Sequence, residues 1–225
     1  MDSANLFASF FERNLQKDQI IISPAIEIKF FSRPKILKKT TNLIFTSSNG
    51  VKAAGQAVND NIRAICVGDR TTSLASSLGY SAEKYGDNVE QLIKKLCLSK
   101  KIEGDILHIR GKYTKVDLMN RLRKAGFLCH EWEGYDQIAK NLSFQALNAF
   151  KNGEKIILPI FSERSGRLLK DQIPNFDKSH IIAISSAVAN VFLDVSPASI
   201  SEAHTPDLVG MRSSTKTVLE NAHLE

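Results

Sequence analysis

The sequence has little of what marks several common protein classes. Only three cysteines, Cys66, Cys97 and Cys129, are scattered over 225 residues, with no C-x-x-C pair among them. That argues against a disulfide framework and a thiolate zinc site. Three small core side chains in a protein of the reducing cytoplasm are expected instead. The five histidines, His108, His130, His180, His204 and His223, share no ligand spacing, so no metal is expected. Cys129 and His130 are adjacent, but neighbours on a strand point to opposite faces. The Walker loop, the G-x-G-x-x-G fingerprint and the G-x-S-x-G elbow are all missing, and no cofactor is expected. No apolar run approaches the roughly 20 residues of a membrane span, so no membrane partner is expected. No charged start followed by an apolar stretch marks an export signal.

What is present is a globular composition, with 43% hydrophobic residues and a net charge of +6. A disordered chain would lack the apolar content to offset its ordering entropy. Lysines cluster at Lys35, Lys38 and Lys39, and again at Lys94, Lys95, Lys100 and Lys101. They are solvated helix ends and loops, or they attract a polyanion. No basic stripe interleaved with aromatics appears, so nucleic acid is not the expected partner. A small substrate with many carboxylates fits the same charge.

Short apolar runs alternate with amphipathic stretches throughout. Strands are expected at Gln19–Ser23, Asn42–Thr46, Arg63–Val67, Ser81–Tyr85, Asp105–Ile109, Phe127–Glu131, Lys155–Ile160, His180–Ile184 and Ser199–Ala203. Helical patterns fall between most of them, such as Val89–Leu98 with Val89, Leu92, Ile93 and Leu96 on one face. Such alternation predicts βαβ units and doubly wound parallel sheets, an α/β fold. Asn88 and Thr114 read as helix N-caps, and Gly79, Gly126 and Gly153 as left-handed C-caps.

A weak internal repeat gives the domain organisation. Leu43–Val51 and Leu158–Gly166 each read as strand, serine, helix start, with 115 residues separating Ser47 from Ser162. Ala64–Gly68 and Ile181–Ser185 follow at an offset of 117. Two related domains are therefore expected. One spans 1–25 plus 140–225, built from both chain ends, and the other spans 26–139. The chain would cross twice, near 24–30 and 133–142, which makes a ligand cleft between the domains the natural binding site. The middle copy has a strand at 105–109 before its helix at 115–125, whereas nothing precedes the helix at 3–16. An upstream strand outside this sequence is expected, and Leu224–Glu225 reads as a vector scar.

The chemistry sits on hydroxyls and amides at strand-to-helix turns. Ser47, Thr71, Gly111, Ser162 and Ser185 all lie after the carboxyl end of an expected strand, the edge where open parallel sheets bind ligands. Ser and Thr there are ordinary N-caps. Free backbone N–H groups at such turns also favour an anion, and one hydroxyl can serve either role. Tyr135, in the second crossover, is a linker aromatic or a cleft residue whose hydroxyl donates a proton to a leaving oxygen. Trp132 reads as packing.

Taken together these residues resemble the uroporphyrinogen-III synthase family over essentially the whole chain. The carriers are Leu43–Ala53, Cys66–Leu74, Asp105–Gly111, Tyr135, Ala183–Ala189 and Ala203–Leu208. The resemblance implies two α/β domains joined by a two-stranded linker, a monomer and no cofactor. It implies a lyase of tetrapyrrole (haem) biosynthesis. Its substrate would be hydroxymethylbilane, a linear tetrapyrrole with eight carboxylates. The enzyme closes it to uroporphyrinogen III and inverts ring D through a spiro intermediate. By the same resemblance, Ser47, Thr71, Gly111, Ser162 and Ser185 match positions that hydrogen-bond substrate carboxylates. Tyr135 matches the tyrosine proposed to assist hydroxyl departure. Ser185 stands where some members have glycine, and Ala187 where some have threonine.

Two other readings compete. A non-catalytic hinged two-domain binder of a small anionic ligand accounts for two crossings and a cleft, but such binders are commonly exported. A nucleotide-binding doubly wound domain lacks the glycine-rich phosphate loop that it would need.

Overall fold

The computed structural model describes residues 3–13, 15–16, 19–35, 40–58, 61–99, 102–114 and 116–222. Lys38, Lys39, Lys100, Lys101, His223 and the closing Leu224–Glu225 lie outside the described residues. By its internal contacts the chain falls into two compact units, Met1–Glu27 with Ala139–Glu225, and Ile28–Ile138.

The chain opens with α1 (Ser3–Ala8). The helix expected over 3–16 stops at Ala8 and continues as turns through Arg13. Phe7 and Phe11 still bury themselves, together with Ile182 and Met211. The strand expected at Gln19–Ser23 does not form, and residues 20–24 have no ladder. Ile20 and Ile21 pack into two different apolar clusters there. An alternating apolar pattern reports which faces are buried, and supplies no pairing partner. The first strand is β1 (Ile26–Phe30).

The middle unit follows. Its elements are β2 (Asn42–Phe45), α2 (Ser48–Ala54), β3 (Arg63–Val67) and α3 (Asp69–Ser77). They continue with β4 (Ser81–Gly86), α4 (Val89–Ser99), β5 (Ile106–Gly111), α5 (Leu118–Lys124) and β6 (Cys129–Ala139). The strands form one sheet in the order β1-β6-β5-β2-β3-β4. Neighbours β6-β5, β5-β2, β2-β3 and β3-β4 are parallel. Both unit boundaries fall inside β1 and β6, which are adjacent strands.

Alternation along the strands explains why helices cover both faces. Leu43 and Phe45 of β2, Ala64 and Cys66 of β3, and Leu107 and Ile109 of β5 face one cluster with Val51 of α2 and Ala75 of α3. Ile44, Ile65 and Ile106 face the other, with Leu92 and Leu96 of α4 and Met119 and Leu122 of α5. Fully buried side chains of this size contribute about 1.5–3 kcal/mol each. Asn88 caps α4, its Oδ1 accepting from Gln91 N at 3.0 Å. Gly79 and Gly126 take φ of 86° and 90°, the left-handed conformation that ends a helix at low cost. The cap of α5 is Asp117 rather than Thr114, its carboxylate accepting from Asn120 N at 3.1 Å.

The remaining elements are α6 (Phe144–Lys151), β7 (Ile156–Ile160), α7 (Glu163–Lys170), β8 (Ser179–Ala183), α8 (Ser186–Ala189), β9 (Ser199–Glu202) and α9 (Leu208–Ala222). The three strands pair in parallel in the order β7-β8-β9. One face meets Ala146, Leu169, Val188 and Phe192, and the other meets α1 and α9. Each unit is thus doubly wound, an open sheet with helices on both faces. The three-stranded sheet is parallel throughout. The six-stranded one is parallel-dominated, with β1 antiparallel to β6 through hydrogen bonds from Phe31 N to Gly134 O and from Lys140 N to Ala25 O. β2, with a strand on each side, is buried along its whole length, while β7 is only half-buried before Ile160.

Candidate functional site

In both units the strand-to-helix turns gather at the carboxyl ends of the strands. Ser47 leaves β2 in extended conformation and caps α2, its Oγ accepting from Gly50 N at 3.3 Å. Ser162 does the same after β7, accepting from Ser165 N at 3.1 Å and sharing a 2.9 Å hydrogen bond with Ser165 Oγ. Ser185 stands at the equivalent turn after β8, but its side chain makes no capping bond. Thr71 lies in the first turn of α3 and is buried. The residue that precedes this helix, Gly68, has φ of 77° and nothing within 4 Å of an added Cβ, so the turn is open.

Three of the six site residues expected from sequence come together in the middle unit. Tyr135 OH lies 2.9 Å from Ser47 Oγ. Gly111 lies beneath the same ring, where an added Cβ would come within 2.8 Å of Tyr135 Cε2 and 2.9 Å of Cζ. Only a glycine lets the tyrosine lie across β5. The Tyr135 side chain is almost fully buried and packs with Phe45, Val51 and Ile109. Thr71 joins none of these contacts. Ser162 and Ser185 belong to the other unit, at the ends of adjacent strands.

A register step explains how Tyr135 reaches Ser47. Arg110 pairs with Glu133, but the next pair is Gly111 with Tyr135, so Gly134 is an extra residue on β6. Such a bulge re-aims the side chains beyond it. Glu131 and Glu133 lie on the Arg110 side of the sheet, where both contact its guanidinium at 2.9 and 3.0 Å. Strict alternation would place Tyr135 on that side too. The bulge turns it to the opposite face, where Ser47 stands. Gly134 permits this because an added Cβ would meet Ala53 Cβ at 2.8 Å and Ile109 Cγ2 at 3.0 Å.

On the reverse face of the same strand ends is a polar group that sequence reading passed over. His108 is buried, with Nε2 3.3 Å from Thr46 Oγ1. Burial lowers its pKa to about 4, so the ring is neutral. The Arg110 guanidinium holds the Glu131 carboxyl below the usual carboxylate range. A histidine flanked by Leu107 and Ile109 in an apolar strand, buried at every position but Arg110, is the available sequence signal for this group. Cys66, also buried, has its thiol pushed up to about 11 and is unreactive. Among the described residues no three His, Cys, Asp or Glu side chains converge as metal ligands. None of the described helices is long and apolar enough to cross a membrane.

Fold and site together define a class: a pair of doubly wound α/β units presenting hydroxyls and glycine backbone at their strand ends, with one tyrosine hydrogen-bonded among them. A family model described as uroporphyrinogen-III synthase HemD matches residues 17–211. The chain belongs to the uroporphyrinogen-III synthase family. A solved uroporphyrinogen-III synthetase from Helicobacter pylori is similar at 16% identity, with a TM-score of 0.66 over 86% of this chain and 91% of that one. A mutant uroporphyrinogen III synthase from Thermus thermophilus is similar at 12% identity and a TM-score of 0.52, over 97% and 95%. At these identities the two structures establish the fold alone. No curated protein sequence matches the chain.

Proposed function

We propose that the protein closes hydroxymethylbilane to uroporphyrinogen III, as a cyclising lyase of haem biosynthesis. The family match over residues 17–211 carries this reading. The linear substrate closes unaided to the type I isomer, so the protein's task is one of orientation. It must hold ring D so that attack at the substituted carbon outcompetes direct closure. Loss of the terminal hydroxyl leaves an electrophilic azafulvene. The spiro product of its capture then fragments and recloses with ring D reversed.

Within this reading Tyr135 donates a hydrogen bond or proton to the departing hydroxyl. Ser47 is its partner at 2.9 Å, which supports a role in orienting the phenol as well as in binding. Thr71 and Gly111 contribute hydrogen bonds to substrate carboxylates, and Ser162 and Ser185 offer the same chemistry in their own unit. The basic balance of +6 suits an octa-anion. The reading also takes the protein as a cytoplasmic monomer that needs no cofactor.

The test is an isomer-resolved product assay. Purified protein receives freshly generated hydroxymethylbilane, the products are oxidised, and uroporphyrins I and III are separated by chromatography. Predominantly type III is the expected result. Type I alone, at the rate without protein, would overturn the reading.

A further inference from the structure

Arg110 contacts both strands at the bulge that precedes Tyr135. Its guanidinium donates from one nitrogen to the carbonyls of Gly111 and Lys112 at 3.0 and 3.2 Å. The other terminal nitrogen lies 2.9 Å from Glu131 Oε1 and 3.0 Å from Glu133 Oε1. The Arg110 side chain is 16% exposed, whereas the Glu131 and Glu133 side chains are 39% and 46% exposed, so the guanidinium is held against the sheet while its carboxylate partners reach solvent. Glu131 and Glu133 stand on β6 ahead of the extra residue Gly134, and the two carbonyls belong to Gly111, which ends β5 where the register steps, and to Lys112 just beyond it. One planar fork therefore ties both sides of the step together, a geometry that a lysine ammonium does not reproduce. Beyond the step, Lys112 N donates to Tyr135 O at 2.9 Å, which closes the ladder again.

We infer that Arg110 is a positioning residue for the synthase reaction, holding the β5–β6 register step so that the Tyr135 hydroxyl stays on Ser47. The inference rests on the proposed reaction and on a geometry independent of it. Without the fork, the Gly111 and Lys112 carbonyls lose their anchor and Glu131 and Glu133 repel each other. The step is then free to relax to regular alternation, which carries the tyrosine off the Ser47 face.

The test compares Arg110→Met and Arg110→Lys with wild type, each also in a Tyr135→Phe background. Arg110→Met is expected to lower kcat for type III formation about tenfold, with KM within about twofold and a higher share of type I, and Arg110→Lys is expected to fall between. In the Tyr135→Phe background the same change is expected to have little further effect, because both act through one hydroxyl. Equal losses in both backgrounds, or a folded Arg110→Met at wild-type kcat, would overturn the inference. Should Arg110→Met fail to fold, Arg110→Lys decides by the same two criteria. A spectroscopic arm does not depend on turnover. With 13Cζ-labelled tyrosine, the Tyr135 resonance, identified by its loss in Tyr135→Phe, is expected to shift in either Arg110 variant. An unmoved resonance would overturn the inference even if the protein made no type III product. Absence of type III from wild type would overturn the proposed reaction instead.

Discussion

Ser47 Oγ and Tyr135 OH, 88 residues apart in sequence, lie 2.9 Å from each other across the end of the middle sheet. The serine also caps α2 through Gly50 N, so one hydroxyl ties a helix start to an aromatic from a strand two places away in the sheet. Its partner ring lies over Gly111.

Removing the phenol oxygen keeps the ring and its packing. Tyr135→Phe is expected to lower the rate of type III formation by roughly 10²-fold or less, the low end for loss of an acid–base group. Stability falls by about 1 kcal/mol, for one hydrogen bond. Turnover assays and urea melts check the two effects separately, and a wild-type rate would remove Tyr135 from the reaction.

A methyl group at Gly111 has nowhere to go, since it would approach the Tyr135 ring at 2.8–3.2 Å. Gly111→Ala is expected to displace the ring from Ser47 and cost about 1–3 kcal/mol through overpacking. Its activity loss should match or exceed that of Tyr135→Phe. Pairing it with Tyr135→Leu should recover most of the melting temperature and none of the activity.

His108 predicts a specific pH dependence of stability. Its pKa in the fold is about 4, against 6.5 when unperturbed, because burial penalises the charged ring. Between those values the unfolded chain binds a proton that the folded one does not. The stabilisation is therefore fully present above pH 6.5 and is lost as the pH falls towards 4, on the order of 3 kcal/mol in total. Urea denaturation at pH 7.5 and 5.0 should show a steeper loss for wild type than for His108→Leu. Parallel pH dependences would mean that the ring protonates freely in the fold.

Capping and carboxylate binding separate at Ser162. Ser162→Ala is expected to cost about 1 kcal/mol, for a lost N-cap. Ser162→Asp restores the cap and places a negative charge at a helix start, which stabilises the helix. The same charge repels a polycarboxylate, so KM should rise well above the Ala value. A KM equal to that of wild type would limit Ser162 to capping.

Much of the local structure was legible in the residues. The strands at 42–46, 63–67, 81–85, 155–160, 180–184 and 199–203 each lie within a residue or two of the observed ones, because short apolar runs bounded by turn residues specify strands locally. Asn88 and the left-handed Gly79, Gly126 and Gly153 were legible for the same reason, since a cap is chemistry within a few residues. β1 was not. Ile26, Ile28 and Phe30 alternate with Glu27 and Lys29, yet only partial burial results, and the strand exists because β6 lies beside it. The expected strand at 19–23 shows the converse, an apolar pattern with no ladder.

The sequence by itself determined the class of fold and the serine caps after β2 and β7. Both follow from contacts between neighbours in the chain and from side-chain period. Only the tertiary structure decided which face Tyr135 occupies. Counting by twos from Glu131 and Glu133 puts the tyrosine on the wrong side of β6. The extra residue at Gly134 reverses it, and that step depends on Arg110, Ala53 and Ile109 meeting β6 from distant parts of the chain. A register is a property of two strands together, and neither strand encodes it alone.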